Sequence, residues 1–412
     1  MHVLISFIII LNVFLYDYLT TKVSMSFVLT DEITVSILLL AAVFFILSHK
    51  KFYINRYEKR ILILLTAILL IGFASLLYKK YQPYSVGIKD AIIFFKCFII
   101  YFITRMVFHN FDISLYKNRI TFIFKILFYF IFILTIANYF FHIFPADQTS
   151  LGFAGQRLFF PHSSRYAFAL QMLFVLLFPA FIEKNRIFLL LVLACGLASM
   201  KFKYISFAVI EVFLIFAYSR IGRINVKKYL LMSIPILILL GFIVSNQFLY
   251  YYSEDAYEFG YARAILTYNS LPIALDHFPL GAGFGTYASF MSGVYYSPVY
   301  ELYDMHWVWG LTPANPRFVT DVYWPMLIGQ FGIIGFLCGL IIIFTFFGLF
   351  IRLFNDADNV NIKPYIFSGI QLMLVLLIDS MSDQIYSQNR GVISFFYLAL
   401  IVNSAYIKKN QQ

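Results

Sequence analysis

Charge is what this chain of 412 residues has least of: Asp, Glu, Lys and Arg make up 12% of it, while 62% is hydrophobic. Roughly 25% charged residues is usual for a soluble domain, so a water-soluble globular protein is excluded. Cysteine is scarce too. Cys97, Cys195 and Cys338 lie inside apolar runs with no CxxC or CxxH spacing, which indicates neither a disulfide framework nor a metal site. There is no internal repeat and no low-complexity segment. The first apolar run lacks a basic n-region and an A-x-A site, and is read as a retained helix.

What remains is apolar and aromatic, with 50 Phe and 31 Tyr. Apolar runs of about 17–25 residues recur, each long enough to cross about 30 Å of hydrocarbon. The expectation is an all-α polytopic membrane protein, a single integral membrane domain over 1–412 with about twelve spans. They are placed at 2–17, 31–48, 60–78, 89–107, 120–143, 166–182, 187–200, 203–218, 229–249, 323–351, 365–380 and 391–406. The net charge of +11 does not indicate nucleic acid, because the basic residues lie in short loops between apolar runs. Lys50, Lys51, Arg56, Lys59, Arg60, Arg105, Lys117, Arg119, Arg220, Arg223, Lys227, Lys228, Lys408 and Lys409 all fall on one side under this count. By the positive-inside tendency that side is the cytoplasm, with both termini there.

Two loops on the opposite face are long: 144–165 and the large loop 250–322. Loops of that second length are more often functional than passive. Tyr257 to Ser270 reads as one helix limited by Pro272, and "SPVYELYDMHWVW" as a second, capped by Ser297 with Pro298 at its first position. Arg157, Arg165, Arg263 and Arg317 lie in these loops, against the charge tendency. A guanidinium grips phosphate through two parallel hydrogen bonds, so an anion is one reading and contact with lipid headgroups the other. "HFPLGAGFG" places Gly281, Gly283 and Gly285 where their amides form either an anion nest or a tight turn. No Lys-Ser/Thr follows and no strand precedes it, so it is neither a P-loop nor a dinucleotide fingerprint. Asp321, just before the tenth span, is either a general base at a cleft or a helix-start residue facing the positive dipole end. His162, His277 and His306 also fall outside, none at metal-ligand spacing with another. Within the membrane, Glu211 reads as a buried partner, and Lys96 and Lys125 as snorkelling lysines.

Three stretches carry a resemblance. "QRLFFPHSSRYAFAL", "RAILTYNSLPIALDHFPLGAGFGTY" and "DVYWPMLIGQFGIIGFL" resemble, in order and topology, the O-antigen polymerase and O-antigen ligase superfamily. The resemblance implies a GT-C-like fold and a metal-independent glycosyltransferase without cofactor. Its donor and acceptor would be undecaprenyl-diphosphate-linked glycans at the outer face of the bacterial inner membrane. Carried over by position, Arg157 and Arg263 hold the donor diphosphate. From their place in the outer loops, Arg165, Arg317, His162, His277, His306 and the three glycines are expected as further substrate contacts. Ligases commonly carry a histidine where this chain has Asp321, which favours a repeat-unit polymerase, and a chain-length regulator stays open as a partner. A ligase acting on lipid A-core is one alternative. A lipid-linked oligosaccharide flippase, a transporter, is the other. A reporter fused after Tyr287 is expected to be active only if it functions outside the cytoplasm; activity there of a cytoplasmic reporter would reverse the topology.

Overall fold

A backbone inside hydrocarbon must satisfy its own N–H and C=O groups, and a helix does so within one segment. The computed structural model describes residues 2–24, 30–48, 52–147, 149–150, 153–225, 241, 245 and 249–410. Its principal helices are α1 (His2–Val23, with π-type segments at Leu11–Leu15 and Leu19–Val23), α2 (Thr30–Leu47), α3 (Arg56–Lys79), α4 (Tyr84–Val107) and α5 (Lys117–Phe141). There follow α6 (Ser163–Phe181), α7 (Arg186–Leu197), α8 (Phe202–Tyr218), α9 (Ala262–Asp276), α10 (Trp324–Asp356), α11 (Lys363–Ser380) and α12 (Asn389–Asn410). Among the described residues the one sheet is a hairpin of β1 (Thr149–Ser150) and β2 (Phe153–Ala154).

Eight helices among the described residues are long and apolar enough to cross a membrane, and the chain is an all-α membrane protein. Three further expected spans are helical but fall short of that standard. Helix α4 carries Lys89, Asp90, Lys96 and Arg105, α7 has 12 residues and α8 has 17. The expected span at 229–249 lies outside the described residues apart from positions 241, 245 and 249.

Lipid is as apolar as leucine, so helices in a bilayer associate through close packing and buried polar contacts. The end of the bundle away from the long loops shows the second kind. The Asn55 side chain accepts from the amides of Tyr57 (2.8 Å) and Glu58 (3.0 Å), and Glu58 returns a bond to the Asn55 amide, a capping box that starts α3. The same Glu58 carboxylate takes Arg105 Nε at 2.7 Å and the Tyr101 hydroxyl at 2.9 Å, both from α4. Arg105 also reaches Asn403 on α12. One carboxylate thus caps α3 and ties α4 to it, and Arg105 carries the link on to α12. Lys96 is not snorkelling: it pairs with Asp31, binding α4 to α2.

The packing that positions the outer loop centres on a break in α10. Gly332 has φ 64° and ψ −172°, a region essentially restricted to glycine. Carbonyls just before a helix break lose their partners four residues on. Here those of Gly329 and Gln330 accept instead from Ala282 (2.9 Å) and Gly283 (2.8 Å) of the glycine run. Ser75 on α3 donates to the Gly281 carbonyl, and Asp90 on α4 accepts from the Gly285 amide at 2.8 Å. Phe284 fills the space left by the missing side chain of Gly72, its ring centroid 4.8 Å from that of Phe331. The run is therefore a re-entrant turn wedged among α3, α4 and α10, buried from Gly281 to Ser289. Non-helical backbone is tolerated at such depth when protein encloses it.

Two local expectations are corrected. The helix bearing Arg263 starts after Gly260 (φ 74°), whose conformation separates it from a single turn at Glu254–Glu258, and it runs through Pro272 to Asp276. A proline there forfeits one backbone bond without ending a helix held by its neighbours. The second expected loop helix is one turn, Val299–Leu302, with Asp304 left-handed (φ 50°) soon after.

A Cβ on Gly281 would lie 2.3 Å from the Gly332 nitrogen, whereas one on Gly222 meets nothing within 4 Å. Left-handed backbone costs an L-residue about 1–2 kcal/mol and overpacking about 1–3 kcal/mol more. Gly281→Ala is expected to lower the thermal unfolding midpoint of the solubilised protein clearly, and Gly222→Ala to leave it unchanged.

Candidate functional site

At the loop end of the bundle, five basic and five acidic side chains meet in ion pairs. Arg165 Nε lies 3.9 Å from Asp17, Lys201 Nζ 3.9 Å from Asp147, and Lys203 Nζ 3.5 Å from Asp379. Arg263 lies 3.1 Å from Asp321, and Arg390 3.5 Å from Asp379 while also bonding Asp383. They come from α1, the 144–165 loop, the starts of α6, α8, α9 and α12, the end of the large loop before α10, the end of α11 and the α11–α12 connection. Arg165 donates to Asn389 (3.3 Å), and Gln388 accepts from Arg390 Nε at 3.2 Å. Gln384 donates to the carbonyl of Val322 (2.9 Å) and to that of Ala288, so the connection is tied to the segment just after Asp321. The Tyr252 hydroxyl bonds the Met381 carbonyl at 2.9 Å, a second tie to the large loop.

Several of these charges sit against the helix dipoles. Lys203, Arg263 and Arg390 lie in first turns, where the positive dipole end disfavours cations, and Asp379 lies in a last turn, where anions are disfavoured. Helix stability does not explain them; they offset one another. The deepest are the most enclosed. Asp379 and Arg390 are buried, while the Arg263 and Asp321 side chains keep 24% and 30% of their surface at the mouth. Arg263 also lies over the Tyr251 ring (4.8 Å), and its Nε has no hydrogen-bond partner.

The electrostatics differ along the cluster. Burial pushes the Asp321 carboxyl above its usual value, with Asp383 adding and Arg263 opposing. Burial acts in the same sense on Asp383, but Arg390, Lys203 and Arg165 outweigh it and hold that carboxyl well below the usual carboxylate range. Burial lowers His162, and Lys201 lowers it further against Asp147. Asp321 is thus the acid of the mouth best suited to accept a proton, since a base works best with a pKa near the operating pH. Asp383 is a fixed counter-charge.

The structure brings some sequence candidates together and leaves others apart. Arg165, Arg263 and Asp321 belong to the cluster. His162 borders it: its Nδ1 accepts from the Ser164 amide at 3.2 Å, and its Nε2 lies 3.3 Å from Asp147. Arg157 does not join. It is half-buried, and its guanidinium donates to the carbonyls of Pro145 (3.1 Å) and Pro161 (2.8 Å), shaping the loop. His277 is buried at the end of α9 against Tyr81 (2.9 Å) and the Ile273 carbonyl (2.7 Å). His306 and Arg317 are exposed and make no bond to the cluster among the described residues; Arg317 lies over its neighbour Phe318. The amides of Gly281, Gly283 and Gly285 donate to His277, Gln330 and Asp90, so they have none left for a phosphate nest. Sequence reading missed Asp17, Asp147, Lys201, Lys203, Asp379 and Arg390. The available signal was charge at the outer edge of an apolar run, as in "LLIDSMSDQ" and "MKFKYISF". Among the described residues, no group of three or more His, Cys, Asp or Glu could hold a metal ion.

No protein-family model matches the chain, and a search of curated proteins gave no significant match.

The low pKa of Asp383 fixes a sign. Its pairing contributes stability that is fully present above the usual value of 3.8 and is lost as pH falls through the folded value below it. Asp383→Asn is expected to cost about 3 kcal/mol at pH 7, as loss of one partner of a buried pair does. The variant should also lose less further stability than the parent on acidification below that value, read by thermal unfolding across pH.

Proposed function

We propose that the protein is a metal-independent glycosyltransferase that joins lipid-diphosphate-linked oligosaccharide repeat units, an O-antigen-type polymerase working at the outer face of the bacterial inner membrane. One observation carries the reading. Arg263 and Asp321, from the two stretches that resemble the large loop and the following span of that superfamily, form a half-open pair at the mouth of a buried charge cluster. Diphosphate capture calls for a guanidinium at the membrane surface, and glycosyl transfer to a hydroxyl calls for a carboxylate beside it.

In this mechanism the donor diphosphate displaces Asp321 from Arg263, whose fork suits two phosphate oxygens. The exchange frees the Asp321 carboxylate. The acceptor hydroxyl oxygen attacks the anomeric carbon of the donor, the bond to the diphosphate oxygen breaks, and the hydroxyl proton passes to Asp321. Arg263 neutralises charge growing on the departing diphosphate, the kind of electrostatic term that usually dominates catalysis. Lys201, paired with Asp147 and close enough to Arg263 to feel its charge, is a second cation of the cluster, with its pKa lowered first by burial. Asp321 supports the polymerase reading over the ligase, which commonly has a histidine there.

A transporter is the second reading, and the break in α10 favours it, because discontinuous helices line many transport sites. Against it, the glycine run occupies that break. A strain lacking the protein separates the two: a polymerase loss leaves single-repeat product, a flippase loss leaves none.

Asp321→Asn keeps the shape but cannot accept the proton, so polymerisation in membranes is expected to fall about 10²–10⁴-fold. Arg263→Ala should abolish it, and Arg263→Lys should recover little because an ammonium lacks the fork. Wild-type rates in Asp321→Asn would leave the residue as a partner of Arg263 only.

A further inference from the structure

Outside the cluster, two fully enclosed acids have no ion-pair partner among the described residues: Asp90, which accepts from the Gly285 amide, and Glu211. Glu211 lies in the middle of α8 and is fully buried. Its Oε2 accepts from Nε2 of Gln371 on α11 at 2.6 Å, and no cation lies within ion-pair distance of it among the described residues. The remaining atoms of this pair, Glu211 Oε1 and Gln371 Oε1, are both buried and both lack a hydrogen-bond partner.

Two acceptor oxygens cannot bond each other, and an orphaned buried polar atom is costly. A buried anion held by one neutral donor is costlier still. Both debts vanish together if Glu211 carries a proton. A carboxylic acid and a carboxamide are planar forks of matching shape: the amide N–H donates to one carboxyl oxygen while the acid O–H donates to the amide oxygen. We propose that Glu211 is a proton-binding site within the membrane, held as the neutral acid and locked to Gln371 in a doubly hydrogen-bonded pair that clamps α8 to α11.

The surroundings agree with a neutral group. Helices α6, α7 and α11 pack against α8. Their charged and titratable residues are Arg165 and Tyr166 on α6, Arg186 and Cys195 on α7, and Lys363, Tyr365 and Asp379 on α11. On α8 itself they are Lys203, Tyr204 and Tyr218. Arg165 pairs with Asp17, Lys203 with Asp379, and Tyr166 bonds Cys195, so these groups are already engaged. Glu211 lies about two turns below Lys203 along α8, and Gln371 about two turns below Asp379 along α11. The clamp therefore fixes the register of the two helices that carry the Lys203–Asp379 pair into the cluster, and Glu211 acts as a positioning residue.

The test uses the full chain in lipid nanodiscs at neutral pH. Infrared difference spectra should show a protonated-carboxyl carbonyl band in the parent that shifts in D2O and is absent from Glu211→Gln. Glutamine can close the same pair as an amide–amide dimer, so its Tm should match the parent, whereas Glu211→Ala should melt several degrees lower or fail to fold. Absence of that band in the parent would overturn the proposal, as would a Glu211→Gln variant as damaged as Glu211→Ala.

Discussion

Much of this molecule depends on one exchange of hydrogen bonds, in which the amides of Ala282 and Gly283 cap the carbonyls of Gly329 and Gln330 before the break in α10. Neither partner is stable alone in a bilayer. The broken helix needs donors, and the non-helical run needs acceptors and shelter from lipid. Each supplies what the other lacks. Because the run leads back to α9 and α10 leads back to Asp321, the same contact decides where Arg263 and Asp321 stand. Gly72, Gly281 and Gly332 serve this arrangement by absence: each missing Cβ is space taken by another segment.

The charge cluster follows a complementary logic. Lys203, Arg263, Arg390 and Asp379 are each at the helix end that disfavours them, so the local term is unfavourable and the tertiary term must exceed it. Sites of this kind violate local rules where function asks for it, and other parts of the fold compensate. Here the compensation is pairwise and graded, from the enclosed Asp379–Arg390 contact to the half-open Arg263–Asp321 pair.

The class of the protein was legible because composition and run length are local properties. Helices occur at eleven of the expected span positions, with ends displaced by a few residues. Arg263 and Asp321 were legible as individuals, since each lies beside a recognisable feature, but nothing in the chain says that they touch across 58 positions. Lys203, Asp379 and Arg390 escaped notice because each looks like a stray charge at the edge of an apolar run; only packing reveals three strays as one network. Arg157 is the opposite case. It stands where a ligand contact was expected, yet two nearby carbonyls occupy its guanidinium. The glycine run could be read as a turn or a nest, and what decided it was the identity of its acceptors, which lie on helices distant in sequence.

The matched count of basic and acidic groups in the cluster has a bearing on encounter. Five positive and five negative side chains leave the basin close to electrical neutrality, so it casts little field beyond its own walls. Long-range steering raises association rates only where charge of one sign prevails, and it fades with ionic strength. A guest here is not summoned from a distance. It is admitted by swapping places with a resident counter-ion, and selectivity becomes a matter of who can take over a carboxylate's seat beside an arginine.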